Sequence, residues 1–360
     1  MVNINLDFWK DKKVIITGHT GFKGSWLLIW LITLGAEVYG ISISEGEESN
    51  LFNSIKRNIS NKFDHKLIDI RDLGKVSNAI SQIKPDIIVH MAAQALVQES
   101  YKDPITTWST NLMGTINLLE SVSKIKNHCA LVCVTTDKVY ENKNWCYGYR
   151  ENDNLGGADP YSASKAAAEI AIKSWRKSYC GENNFEISNL GIATARAGNV
   201  IGGGDYAENR LIPDCYRAYV KENIIKVRNP NSIRPWQFVL EPLYGYLLLA
   251  ERLYLDPKNY SSEYNFGPNN DSNKTVLEVV KHISSCWKVS YAVQQENDFF
   301  QEANILNLDV SKSKQVLQWE PIWDFEQSLN KTVNWYKNIK LGGDPYKECL
   351  NNINSFQTEN

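Results

Sequence analysis

Lys13 to Thr17 (KVIIT) is a short apolar run that passes directly into TGHTGFKG, Thr17 to Gly24, and then into SWLLIWLITLG. A strand ending in glycines at 18, 21 and 24 and feeding a helix admits few folds. It requires a tight turn, a close backbone approach and a helix N-terminus aimed at an anion, the requirements of a dinucleotide pyrophosphate. The run Trp26 to Gly35 is too short to span a bilayer and reads as a buried helix with Gly35 at its C-terminal cap.

The same alternation continues downstream. EVYGISI, KLIDI, DIIVHMAA and ALVCVTT read as four further strands. Asp72 can cap a helix whose Val76, Ala79, Ile80 and Ile83 share one face, and Asp103-Pro104 and Asp159-Pro160 each open a helix with a capping carboxylate followed by proline. Short apolar strands alternating with helices predict an α/β fold, a Rossmann-like doubly wound parallel sheet covered on both faces. After about residue 200 the pattern loosens around the helices VLEPLYGYLLLAERLY, TVLEVVKHISSCW and DFEQSLNKTVNWYK. Residues 1–200 therefore read as the dinucleotide-binding domain that also carries the catalytic residues, 201–345 as a smaller, mainly substrate-binding, discontinuous lobe with some segments returning to the sheet, and 346–360, ending NNINSFQTEN, as a polar tail that frays.

Composition removes other classes. A net charge of −2 over 360 residues argues against a nucleic-acid partner. MVNINLDFWKDKK has no apolar core behind a basic start, so no signal peptide is expected. Seven scattered cysteines without a CxxC pair point to neither structural zinc nor a disulfide framework. A reduced, cytoplasmic enzyme without a metal or a membrane anchor is the expectation.

The second strand ends GISISEGEE, with Ser42, Ser44 and Glu45 near its tip and no Arg or Lys for a 2′-phosphate, which favours NAD over NADP. Asp69-Ile70, ending the third strand, reads either as an adenine contact or, through Asp69 and Asp72, as a helix-capping acidic pair. His19 is expected to pack near the phosphates without a catalytic role. In PYSASK, Tyr161 and Lys165 lie four residues apart on one helical face. A cation so placed lowers the phenol pKa and makes Tyr161 a usable base. ALVCVTTDK closes the fifth strand with Thr135, Thr136, Asp137 and Lys138, either delivered into a cleft or forming an exposed ion pair. GNVIGGGD offers Asn199 and the amides of Gly202 to Gly204 to a pyrophosphate. Arg210 and Arg234 read as phosphate clamps or as surface salt bridges.

Together these motifs resemble the extended short-chain dehydrogenase/reductases. The resemblance is carried by the glycine triplet, the Tyr161/Lys165 pair, HMAAQ (His90 to Gln94) and NLMGT (Asn111 to Thr115). It is nearer to the nucleotide-sugar branch, and within it to the CDP-glucose 4,6-dehydratases, through TGHTGFKGSWL, TTDKVYEN, LGGADPYSASKAAAE, ARAGNVIGGGD and RPWQFVLEPLYGYL. The resemblance runs from about residue 9 to 250 and more weakly to about 340.

It implies NAD as cofactor, CDP-glucose as substrate, a 4-dehydro-6-deoxy product feeding dideoxysugar synthesis, and a homodimer formed through the helices after Asp103 and Asp159. Cofactor contacts are implied at Gly18, Thr20, Gly21, Phe22 and Gly24, at Asp69 and Ile70, at Ala92, Ala93 and Gln94, and at Tyr161 and Lys165. By the same resemblance Tyr161 takes the 4-hydroxyl proton, Thr136 shares a hydrogen bond with that oxygen, and Lys165 holds the nicotinamide ribose. Asp137 protonates the leaving C6 hydroxyl, and Arg234 meets the substrate diphosphate. Related dTDP-glucose dehydratases carry Glu after this Asp as the C5 base, whereas this chain has Lys138. A lysine there is a base only if its pKa is depressed; otherwise it stays charged and stabilises an enolate. A 4-epimerase or simple sugar dehydrogenase would lack the pair at 137–138, and a non-catalytic dinucleotide-binding regulator would lose Tyr161 and Lys165.

Overall fold

A computed structural model of the chain describes residues 4–45, 50–180, 189–269, 272–294 and 306–359. Seven strands form one sheet: β1 (Lys13–Thr17), β2 (Glu37–Ser42), β3 (Phe63–Leu67), β4 (Ile87–His90), β5 (Cys129–Val134), β6 (Leu190–Ala197) and β7 (Glu263–Phe266). Their spatial order is β7-β6-β5-β4-β1-β2-β3, and every pairing is parallel. The chain runs outward from β1 through β3, then returns to lay β4 beside β1 and proceeds the other way. The crevice beyond the carboxyl ends of β1 and β4 is therefore a topological switch point, where an open α/β sheet takes its ligand.

The principal helices are α1 (Phe22–Thr33), α2 (Leu51–Ile59), α3 (Leu73–Ile83), α4 (Pro104–Trp108), α5 (Gly114–Ser123), α6 (Pro160–Tyr179), α7 (Leu211–Val220), α8 (Leu240–Leu255), α9 (Val276–Trp287), α10 (Phe325–Lys340) and α11 (Pro345–Glu359). The three anticipated caps are made: Asp72, Asp103 and Asp159 accept the backbone N–H of Lys75, Thr106 and Ser162. Val76, Ala79, Ile80 and Ile83 are the buried face of α3. Helix α1 is apolar on all sides because it is covered on all sides, and Trp26 to Leu31 are completely buried. Among the described residues no helix is long and apolar enough to cross a membrane.

Two expectations are corrected. The third strand is Phe63–Leu67, earlier than KLIDI, because its ladder with β2 runs from Val38↔Phe63 to Ser42↔Leu67 and stops where β2 stops. The C-terminus does not fray: Cys349, Ile353 and Phe356 form one buried stripe of α11. Phe356 meets Trp30, Tyr244 and Trp323 edge-on at 5.0–6.0 Å, so this helix closes the outer side of α1. Beyond β6 the chain adds three two-stranded ladders around the mouth of the crevice: Val200–Ile201 with Gln237–Phe238, Ile233–Pro235 with Asn273–Thr275, and Ile225–Val227 with Tyr291–Val293.

Candidate active site

The crevice is a cleft of about 660 Å³, and its floor is the glycine loop. Gly18 has φ +78°, and a Cβ there would stand 2.8 Å from the Ala92 nitrogen, while one on Gly24 would stand 2.1 Å from the Gly18 carbonyl oxygen. Both positions require glycine. Gly21 starts α1 without a side-chain cap, leaving the N–H groups of the first turn at the cleft. Thr17 joins the two strand ends: its hydroxyl accepts the N–H groups of Met91 and Ala92, each at 3.1 Å, and lies 2.7 Å from His90 Nδ1. An uncapped helix N-terminus set beside a turn that carries no side chain at Gly18, Gly21 and Gly24 fits a dinucleotide pyrophosphate.

Thr20, Phe22, Ile70, Ala92 and Ala93 line this end of the cleft, and the Thr20 hydroxyl bonds Ser42 at the tip of β2 at 2.7 Å. Asp69 and Gln94, also expected at the cofactor, are not among the lining residues. Asp69 is bound by the Arg71 guanidinium at 2.6 Å, and the Gln94 amide donates to the Leu96 carbonyl and to Thr107. His19 lies under the loop, 2.6 Å from His65 Nδ1, and burial followed by the charge of His65 pushes its pKa down to about 4.

Opposite the loop, β5 ends at Val134 and the chain turns inward at Thr135–Lys138. Thr136 donates to Asp137 Oδ1 at 3.0 Å, and Lys138 Nζ reaches the same oxygen at 3.2 Å. Asp137 is 1% exposed, and its Oδ2 has no hydrogen-bond partner among the described residues. A Cβ on Gly198 would stand 2.5 Å from that oxygen. The pair is therefore no exposed surface bridge. Burial pulls the Lys138 ammonium down, but Asp137 and then Tyr161 outweigh it and hold its pKa above the ordinary lysine value. Lys138 stays charged.

Tyr161 departs from expectation. Burial raises its pKa, and the cation that most offsets this is Lys138, followed by a hydrogen bond with Thr136. Lys165, expected to do so, is drawn 2.9 Å from the Val134 carbonyl at the open end of β5, and burial lowers its own pKa to about 8. Asn199, Arg210 and Arg234 line the far wall. Arg210 pairs with Asp205 at 2.9 Å, and Arg234 sits on the strand Ile233–Pro235. The Gly202–Gly204 turn is mainly structural. A Cβ on Gly203 would fall 1.9 Å from the Trp335 ring and one on Gly204 2.8 Å from Leu51, which leaves Gly202 on the wall.

The sequence reading missed the network that aims this cluster. Glu169, one turn past Lys165 on α6, is buried with Arg196 from β6; their forked contacts are both 2.9 Å. Thr135 and Thr194 donate to the same carboxylate at 2.5 and 3.1 Å, and Arg196 continues to the Tyr140 hydroxyl at 2.8 Å. One carboxylate thus holds α6, β5 and β6 together beside Thr136.

A parallel dinucleotide sheet, with a tyrosine and a lysine on one helix facing a threonine at the adjacent strand end, defines a short-chain dehydrogenase/reductase. A family model described as GDP-mannose 4,6 dehydratase matches residues 15–332. CDP-glucose 4,6-dehydratase of Salmonella typhimurium is 45% identical over 95% of this chain and 95% of its own length. dTDP-glucose 4,6-dehydratase of Haemophilus influenzae is 27% identical over 90% and 97%. Among solved structures, DesIV, a dTDP-glucose 4,6-dehydratase from Streptomyces venezuelae with NAD and TYD bound, superposes with a TM-score of 0.77 at 21% identity, covering 93% of this chain and 99% of that one. UDP-glucose 4-epimerase from Thermotoga maritima superposes at 0.75 and 22%, covering 91% and 99%. The chain belongs to the NAD-dependent epimerase/dehydratase family of nucleotide-sugar enzymes.

Glu169→Ala is expected to cost about 3–5 kcal/mol in urea unfolding, because Arg196 is left buried and unpaired, whereas the apolar pair Glu169→Leu/Arg196→Met recovers most of it. A single-variant loss below about 1 kcal/mol would contradict the bridging role.

Proposed function

We propose that this chain catalyses the NAD-dependent dehydration of CDP-glucose to CDP-4-dehydro-6-deoxy-glucose. The observation that carries the reading is the Thr136–Asp137–Lys138 cluster, with Thr136 and Asp137 buried and Lys138 half-buried, set against Tyr161 in the same cleft as the glycine cradle. The cytidine base rests on the 45% identity to the Salmonella CDP-glucose enzyme. Bound NAD supplies a hydride acceptor and, later, donor, and the protein does the rest. Tyr161 takes the proton of the sugar 4-hydroxyl as the phenolate that the charge of Lys138 favours, with Thr136 hydrogen-bonded to the same oxygen. The 4-keto group acidifies C5–H; Asp137 takes that proton on Oδ2, and the charge of Lys138 stabilises the enolate that forms. Asp137 then gives that proton to the departing C6 hydroxyl from Oδ2, which has no hydrogen-bond partner among the described residues, while Oδ1 remains with Thr136 and Lys138; the hydride returns to C6, and the proton taken by Tyr161 is delivered to C5. Lys165 orients the nicotinamide ribose. Arg210 and Arg234, on the far wall, take the substrate diphosphate.

The division of labour follows the chain, with residues 1–200 holding cofactor and chemistry and 201–345 closing over the nucleotide sugar. A homodimer is supported by apolar side chains exposed on and just after α4 and on α6: Ile105 at 78%, Met113 at 49% and Ile170 at 61%. Sedimentation at micromolar concentration is expected to give a dimer, and a monomer there would refute it. All seven cysteines are free thiols, which accords with a reducing cytoplasmic location.

Incubation with CDP-glucose and NAD, followed by mass spectrometry and absorbance at the NADH band, is expected to show loss of one water with no net NADH. Stoichiometric NADH would indicate a dehydrogenase, unchanged mass with inverted C4 an epimerase, and no turnover of any nucleotide sugar a regulator. Lys138→Ala is expected to keep NAD binding and lose elimination by about a hundredfold or more, the size of one lost electrostatic stabiliser. Near-normal turnover would make Lys138 a bystander.

A further inference from the structure

His90 opens HMAAQ, and Asn111 and Thr115 bound NLMGT, two segments that take no part in the chemistry described above. A chain of hydrogen bonds joins them. The Thr17 hydroxyl, at the end of β1, accepts the N–H groups of Met91 and Ala92. With both acceptor positions filled, its own proton goes to His90 Nδ1, 2.7 Å away. A neutral ring that accepts at Nδ1 carries its proton on Nε2, which lies 3.1 Å from the Thr115 hydroxyl. Thr115 in turn donates to the Asn111 carbonyl at 2.7 Å.

Asn111 sits in a π-helical turn, Ser109–Met113, between α4 and α5. Its Oδ1 accepts the Gln94 N–H at 2.8 Å, which fixes the orientation of the amide. Its Nδ2 therefore donates to the Gln94 carbonyl at 3.0 Å and to the Ser164 hydroxyl at 2.9 Å. Ser164 donates to the Tyr161 carbonyl at 2.7 Å. Thr17, His90, Asn111, Thr115 and Ser164 are at most 2% exposed, and each proton in the series has one assignment. A second ring proton on His90 would meet a Thr17 oxygen already engaged. Burial, then the charge of Lys165, lowers its pKa to about 3, so the ring is neutral at working pH.

The two ends of this relay are the two partners of the oxidation step. Thr17 directly precedes Gly18, and the Ala92 nitrogen it holds stands against that glycine. Tyr161 is the base. Hydride and proton leave one C4–OH group, so cofactor and base must be set against the same sugar carbon at once. The Glu169–Arg196 bridge sets Tyr161 against the strand end that carries Thr136. The relay sets it against the cofactor cradle. None of its five side chains lines the cleft.

We propose that His90 is a positioning residue which, fixed as the Nε2–H tautomer at the centre of this relay, holds the cofactor cradle in register with Tyr161. The inference rests on the NAD-dependent reading above. Breaking the relay loosens the approach of donor carbon to acceptor ring and leaves the binding contacts of cofactor and substrate in place.

Nitrogen NMR on the full-length, histidine-labelled protein is expected to show His90 with a protonated Nε2 and a bare Nδ1, unchanged between about pH 5.5 and 8.5. The opposite tautomer, or titration in that range, would overturn the proposal. Turnover of CDP-glucose and NADH binding by fluorescence supply the second arm. His90→Phe is expected to lower kcat about a hundredfold, while KM and the NADH Kd move less than about threefold. His90→Gln, able to accept from Thr17 and donate to Thr115, is expected to regain at least about tenfold of that loss. Ser164→Ala breaks the far end and is expected to cost about tenfold in kcat. The double variant His90→Phe/Ser164→Ala should be no slower than His90→Phe, because a relay already broken loses nothing more. Independent, multiplying losses, or a fall in kcat matched by lost NADH binding, would leave His90 as a packing residue. Should His90→Phe fail to fold, Thr115→Val with Ser164→Ala gives the same cycle. Failure of the wild-type protein to bind NAD+ or NADH would overturn the NAD reading itself, an outcome distinct from multiplying losses.

Discussion

The site depends first on the buried bridge between Glu169 and Arg196. A carboxylate and a guanidinium removed from water survive only if their remaining polar atoms are matched. Here Thr135, Thr194 and Tyr140 complete the set. The same helix turn that places Tyr161 and Lys165 in the cleft places Glu169 against the sheet. Locking Glu169 to β5 and β6 therefore sets the distance between the tyrosine and the strand end carrying Thr136 and Asp137. Chemistry and scaffold are fastened at one point.

From that frame the cleft becomes an electrostatic gradient. At the substrate side, Asp137 and Lys138 are paired: among the described residues one carboxylate oxygen is occupied and the other is not, and the lysine is held charged by its neighbours. At the cofactor side, Lys23 and Lys165 are both pressed toward neutrality by burial. Of these three amines Lys138 alone is ion-paired with a carboxylate, and it alone is held above the ordinary lysine value. That difference favours a fixed charge over a free base at position 138.

What could be read from the residues alone was what local chemistry dictates. Capping carboxylates before proline, glycines at the first turn and apolar periodicity act over a few residues, and Asp103, Asp159, Gly18 and the face of α3 appear where expected. The third strand slipped because FDHKL at a sheet edge carries no apolar signature, and its register comes from β2. The last helix carries its apolar stripe, Cys349, Ile353 and Phe356, among polar residues, so its order comes from packing on α1 and not from local composition. The Glu169–Arg196 bridge and the relay from Thr17 through His90 to Ser164 join residues far apart in the chain, so no spacing rule could reveal them. For the same reason Lys165 was credited with tuning Tyr161, when the fold hands that part to Lys138.

The account stands on hydride leaving C4 and returning to C6 within one active site. CDP-glucose carrying deuterium at C4 tests this directly, with the product read by NMR. The account predicts deuterium at C6 of a 4-dehydro-6-deoxy sugar. Deuterium released into free reduced cofactor, or retained at C4, would contradict it.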